Sequence, residues 1–384
     1  MLHTILNRTD VYLESHRYSD ALSDYQRAAN LLCTPTQRVR ALIGIAKTTY
    51  RLTPKSAEED WLKVESLVAE LGWGEGFAYG LIKLSLGVLT DDPARIAIST
   101  GILYKQELAA WLVGGRSWVQ WINKPSYIHI AGTKGKGTTC LYTENLIRTH
   151  NHRAGKASKV GCLTSPHVTT VRERIRLNAQ PITEESFAFH FWTLWEKMRS
   201  AEPPVRPHVV LPPMLGYPGF VALLAFHIFA EEAVDVAILE RGMGGETDST
   251  NVITSPIATG ITELGLDHTN RLGNKLESIA WHKSGIFKPG VPAFSVPQRE
   301  AAARVLRDRA REKGVELHFV DDTFLTDNHI KIAPNERFQR HNASLALTLA
   351  GAYVKSLSTQ SYVGPEDAHC LEQTSLPAKF EVMT

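Results

Sequence analysis

The sequence predicts an α/β protein: a mostly parallel sheet with helices on both faces, preceded by an all-helical stretch. Three observations carry that expectation. From residue 127 onward, short β-branched runs alternate with helix-like segments, the pattern of a parallel sheet covered on both sides. Gly and Pro gather at the joints, as in "PPMLGYPG" (212–219) and "KPGVP" (288–292). A glycine-rich loop, "GTKGKGT" (132–138), stands between the first of these strands and a helix.

Residues 1–112 come first and differ in texture. "YSDALSDYQRAANLL" sets Tyr18, Ala21, Leu22, Tyr25, Ala28 and Leu32 at spacings of three and four, one face of a helix. "VRALIGIAKTTYRL" and "AEEDWLKVESLVAEL" repeat it. The first of these helices resembles a tetratricopeptide helix, although no clean repeat period follows. An ordinary helical extension is the alternative. Strands are then expected at 127–131, 234–240, 257–262, 292–296 and 315–320. Helices are expected near 138–149, 184–200, 219–232, 275–283 and 299–313.

With 384 residues, 43% hydrophobic and 21% charged, the chain is large enough for two or three domains with a sizeable core. A net charge of +2 suggests no nucleic-acid surface. Cys33, Cys140, Cys162 and Cys370 are far apart and form no CxxC pair, so neither a zinc site nor a disulfide framework is indicated. The N-terminus lacks an apolar run and carries Asp10 and Glu14, against a secretory signal and weakly against a mitochondrial one. The longest apolar run, 219–230, is too short to span a bilayer. A cytoplasmic protein with reduced thiols is expected, with mitochondria as an open alternative.

The loop at 132–138 has the context a phosphate site needs. Gly132, Gly135 and Gly137 let the backbone turn so that N–H groups, including those of Thr133 and Lys134, face phosphate oxygens. The following helix start adds positive potential. Lys136 can reach the β- and γ-phosphates of a bound nucleotide, and the Thr138 hydroxyl can meet Mg²⁺. Gly137 separates lysine from threonine, so the string departs from GxxxxGK[ST].

"HIAGTKGKGTTC" resembles the phosphate loop of the Mur-ligase superfamily, in its folylpolyglutamate synthase branch. The likeness continues in family order through "TSPHVTTVRERIRLNAQPITEESF" (164–187), "ILERGMGGETDSTNVI" (238–253), "LGLDHTNRLGNKLESIAWHKSGIFKPGVPAF" (264–294) and "QRHNASLAL" (339–347). It implies an ATP-dependent ligase that adds glutamate to the γ-carboxyl of a folate through an acyl phosphate. Domains are then expected at 1–112 (helical), 113–374 (the family's central ATP-binding domain) and 375–384 (a linker). Ser165, Glu240 and His268 stand where the family places Mg²⁺ ligands. Lys283 matches a position that often carries a carbamylated lysine, and Lys136, Glu240, His268 and Lys283 form the expected catalytic set. Asn342 is expected on the adenine side. Asp248, Thr250 and Asn251 are expected to brace the site.

Three departures from the family pattern keep other readings open. "LPAKFEVMT" (376–384) resembles the family's linker with Ala378 and Lys379 in place of Gly-Arg, and a further α/β domain that helps bind glutamate is expected to be missing. Gly219 falls where a basic residue is expected on the pterin side, beside Pro218. The helical leader is long and foreign to the family. The alternatives are the same chemistry on a non-folate acid, or a non-catalytic nucleotide-binding protein that uses residues 1–112 to dock a protein partner.

Overall fold

The computed structural model describes residues 18–30, 35–52, 57–70, 122, 125–200, 215–242, 244–246 and 248–374. The expectations for the N-terminus, for the leader beyond residue 70, for residues 212–214 and for the linker-like tail lie outside these residues. The described elements fall in two compact units.

The first unit holds α1 (Tyr18–Ala29), α2 (Pro35–Leu52) and α3 (Ala57–Glu70). The spacing of small and aromatic residues does the packing. Ala21, Tyr25 and Ala28 of α1 form one buried stripe with Ala41 of α2. A Cβ on Gly44 would lie 2.4 Å from the Tyr25 ring, so the ring lies directly on that helix backbone.

The second unit is an eight-stranded sheet in the order β4-β3-β2-β5-β1-β6-β7-β8. Its strands are β1 (Ser126–Ala131), β2 (Val160–Leu163), β3 (Ile175–Leu177), β4 (Gln180–Pro181), β5 (Val236–Glu240), β6 (Ala258–Ile261), β7 (Ala293–Ser295) and β8 (Leu317–Phe319). Six run parallel, and the β3–β4 hairpin joins the β2 edge antiparallel. The predicted fold class therefore holds. β1 is central, in register with β5 (Ile128↔Ile238, Ile130↔Glu240) and β6 (Ala131↔Ile261).

Alternate side chains of the strands serve opposite layers, as the pleat requires. Ile128, Ile130, Val236 and Ile238 pack with Leu146 and Ile147 of α4 (Lys136–Arg153) and Leu345 and Leu349 of α11 (Arg337–Leu357). Tyr127, Ala237 and Leu239 face α5 (Glu184–Ser200) and α6 (Tyr217–Glu231), where Leu194, Phe226 and Phe229 fill the layer. Each such large apolar side chain contributes about 1.5–3 kcal/mol. The remaining helices are α7 (Thr269–Leu272), α8 (Leu276–Lys283), α9 (Glu300–Glu312), α10 (Thr323–Asp327) and α12 (Pro365–Ala368). Among the described residues, no helix is long and apolar enough to cross a membrane.

Candidate nucleotide site

The glycine loop leaves β1 at the C-terminal edge of the sheet, where open α/β sheets form their crevices. Its conformation depends on two glycines. Gly132 has φ +152°, and a Cβ there would stand 1.8 Å from the Thr262 hydroxyl at the end of β6. Gly135 has φ +84°, and its Cβ would stand 2.2 Å from Asn342 Oδ1. The loop is tied to the strand beside it. Thr133 N donates to Glu263 O at 2.9 Å, and the Thr133 hydroxyl donates to Gly265 O at 3.0 Å. Helix α4 begins at Lys136, two residues earlier than predicted, so Lys136 and Thr138 both sit in its first turn.

Lys136 folds back over the loop. Its Nζ donates to Thr133 O at 3.2 Å and lies 3.9 Å from Glu240 Oε1. Glu240 is 4% exposed, and its other oxygen accepts the Ser165 amide at 2.8 Å. Three separate motifs thus meet at one edge: the phosphate loop, the end of β5 and the "TSPH" loop after β2. The Thr138 side chain is buried within the same turn.

Lys283 comes from the end of α8. Its Nζ donates to the Gly132 carbonyl, directly beneath the loop. Burial first, then the neighbouring Arg241 and Lys136 cations, push its pKa down to about 6. Both causes favour the neutral amine over the ammonium. His268 stands on the loop after β6 with φ +49°. Its backbone N donates to Asp267 Oδ1 at 2.9 Å, and its side chain is 42% exposed. Among the described residues, no group of three His, Cys, Asp or Glu converges as a metal cluster. A divalent ion here would need hydroxyl as well as carboxylate donors. Buried Glu240 and Thr138 are hard oxygen donors of the kind Mg²⁺ takes.

The segment after β5 is braced internally. Asp248 Oδ1 accepts the Thr250 amide and hydroxyl at 2.9 and 2.6 Å, and Thr250 Oγ1 meets His129 Nε2 at 2.9 Å. Asn251 Nδ2 reaches Glu246 O at 3.0 Å. Asn342 packs against Gly135 and donates to Gln339 Oε1 at 2.9 Å. The sequence does not single out Arg241, which is 1% exposed with Nε 3.8 Å from Asp248 Oδ2. Its only advance signal is a charge directly following an apolar strand. Burial pushes its pKa down to about 10. Nor does the sequence foretell that Arg174 lies over the Tyr217 ring at 5.5 Å, at the start of α6.

A central strand, a glycine loop with its lysine, and a carboxylate at the end of the adjacent strand together have the layout of a phosphate-loop α/β domain. No protein-family model matches the chain. Folylpolyglutamate synthase of Neurospora crassa is 40% identical over 283 residues, 72% of this chain and 53% of that protein. The mitochondrial enzyme of Cricetulus griseus is 41% identical over 245 residues (63% and 40%). The Candida albicans enzyme is 43% identical over 244 residues (61% and 46%). An FPGS–AMPPCP complex superposes with TM-score 0.58 at 25% identity, covering 73% of this chain and 70% of that one. A bifunctional folylpolyglutamate synthase/dihydrofolate synthase with Mn, AMPPNP and L-glutamate bound gives 0.56 at 25%, covering 73% and 64%. Over the shared stretch the chain is similar to folylpolyglutamate synthases in sequence and in fold. It spans about half the length of the curated relatives it matches.

Proposed function

We propose that this chain carries the ATP-binding, carboxylate-activating part of a folylpolyglutamate synthase. The observation behind this reading is the meeting of Lys136, Glu240 and the Ser165 amide at the mouth of the glycine loop. In the reaction, a substrate γ-carboxylate attacks the γ-phosphorus of ATP, and ADP leaves. The glutamate amine then attacks the acyl carbon, phosphate departs and an amide forms. Negative charge concentrates in both steps, so a positioned lysine and backbone amides supply much of the catalysis.

In this reading the loop amides from Gly132 to Thr138 cradle the phosphates, Lys136 holds the transferred phosphoryl group, and Asn342 lies toward adenine. Thr138, Ser165, Glu240 and His268 would hold Mg²⁺, which when bound neutralises triphosphate charge. Similar proteins whose structures contain AMPPCP, folate, AMPPNP, Mn and L-glutamate support ATP and a divalent metal as the ligands. Neutral Lys283 has the protonation state that adds CO₂ to form a carbamate. Arg174 over Tyr217 offers a cation and an aromatic face to an acid substrate near the start of α6, where Gly219 provides neither. Residues 113–374 would form the ATP-binding domain, 375–384 a linker, and 1–112 a surface for a protein partner. A cytoplasmic location fits, and the mitochondrial relatives make that compartment the alternative.

The test incubates the protein with Mg-ATP, glutamate and reduced folate. ADP together with a folate heavier by one glutamyl unit is expected. ADP released only with a non-folate acid would move the reading to that acid. ATP binding without turnover on any acid would reduce it to nucleotide binding.

A further inference from the structure

The turn after β5 and the end of α8 touch backbone to backbone. A Cβ on Gly245 would stand 1.1 Å from the His282 carbonyl oxygen, and one on Gly285 2.0 Å from Glu246 N. Glu246 N donates to His282 O at 3.2 Å across this seam. Two cations from α9 and the residue following it close on the seam from outside. Arg309 Nη2 lies 2.6 Å from Glu246 Oε2, and Lys313 Nζ lies 3.0 Å from the same oxygen. Lys313 also donates to Gly285 O at 3.2 Å. The Arg309 guanidinium stacks 4.6 Å over the Trp281 ring, and its Nη1 meets Glu312 Oε2 at 2.7 Å.

Exposed ion pairs contribute little. This one differs, because Arg309 is 6% exposed, stacked on an indole and aimed at a carboxylate that directly follows the glycine turn. A planar fork held on both sides fixes geometry in a way a flexible ammonium does not. Trp281 lies two residues before Lys283 on α8, and Asp248 lies two residues after Glu246.

We propose that Arg309 is a positioning residue of the nucleotide site. Through Glu246 and Trp281 it holds the 244–246 turn against the end of α8, and so fixes where Lys283 meets the Gly132 carbonyl under the phosphate loop. Only the kinetic arm of its test rests on the ligase reading.

The full chain is compared with Arg309→Met, Glu246→Gln and the double variant. Amide exchange at 244–252 and 276–286 is expected to speed by roughly tenfold in each while the rest of the sheet is unchanged. Turnover is expected to fall by about tenfold or more with KM for ATP within about threefold, and the double variant to be no worse than either single one. If Arg309→Met does not fold, Arg309→Lys, which keeps the charge and loses the stacked fork, is read the same way. Uniformly faster exchange, or unchanged exchange at the two segments, overturns the proposal. So does an unchanged kcat where the wild type turns over. A wild type without turnover sinks the ligase reading alone, and exchange then decides the positioning role.

Discussion

Lys283 is the residue on which the energetics of the site are most exposed to test. An unfolded lysine titrates near 10.5, whereas burial, Arg241 and Lys136 bring this one to about 6 in the folded chain. Between those values the unfolded chain holds one more proton than the folded one. Stability therefore rises as pH climbs through that window, and the burden is fully present below it. Lys283→Met removes the burden. Thermal melts should show the variant more stable than the wild type near pH 7, with the difference shrinking toward about pH 10. Parallel pH profiles of the two proteins would mean that the lysine stays charged where it lies. Lys136 makes the complementary case, since its Nζ serves both the loop carbonyl and Glu240. Lys136→Ala should lower ATP-dependent turnover by ~100-fold or more, the scale of losing a charge-stabilising donor, and abolish the ATP-induced shift in Tm. A full thermal shift retained in that variant would take Lys136 off the phosphates.

At the level of elements, two glycines separate conformational strain from close approach. Gly155, after α4, has φ +66° and nothing within 4 Å of where a Cβ would stand, so Gly155→Ala should cost only about 1–2 kcal/mol. A Cβ on Gly245 would stand 1.1 Å from the His282 carbonyl oxygen, a backbone clash that no rotamer relieves. Gly245→Ala should cost more than ~4 kcal/mol or prevent folding, as read by urea unfolding and soluble yield. Equal costs would mean that the seam yields easily. The same contrast between local and non-local causes explains which elements are legible in the sequence. β1, β5 and β6 are buried on both faces, and their short β-branched runs between turn residues are legible despite His129 and Thr259. β2 is only "VGCL", and its Gly161 is there because Phe229 packs on it, with a Cβ placed 2.8 Å from the ring. β3 carries Arg176, whose charge meets buried Glu144 of α4 at 3.2 Å, a partner local pattern does not reveal. α11 is legible only as the asparagine motif, although its Ala- and Leu-rich run at 343–350 carries a helical signal.

Across the whole molecule, the legible part of the site is the part written in contiguous motifs. The glycine loop, "TSPH" and Glu240 announce themselves, and the parallel order of the sheet brings them to one edge. The Arg309–Glu246 contact spans 63 positions, and the burial of Arg241 against Asp248 leaves no mark in the residue pattern, so both needed the fold. This arrangement has a thermodynamic consequence. A ligand that binds the assembled edge and not the unfolded chain must stabilise the unit that assembles it. Mg-ATP at about 100 times its Kd should add ~2.7 kcal/mol to unfolding in urea. Amide exchange should slow in β1, β5 and α4, which carry the loop, Glu240 and Lys136, because local openings there would release the nucleotide. Gly135→Ala, strained at φ +84° and with its Cβ pressed on buried Asn342, should lose that gain, and its unliganded stability should drop by more than the ~1–2 kcal/mol of Gly155→Ala. Stabilisation by ATP that survives both Lys136→Ala and Gly135→Ala would place the nucleotide elsewhere on the molecule.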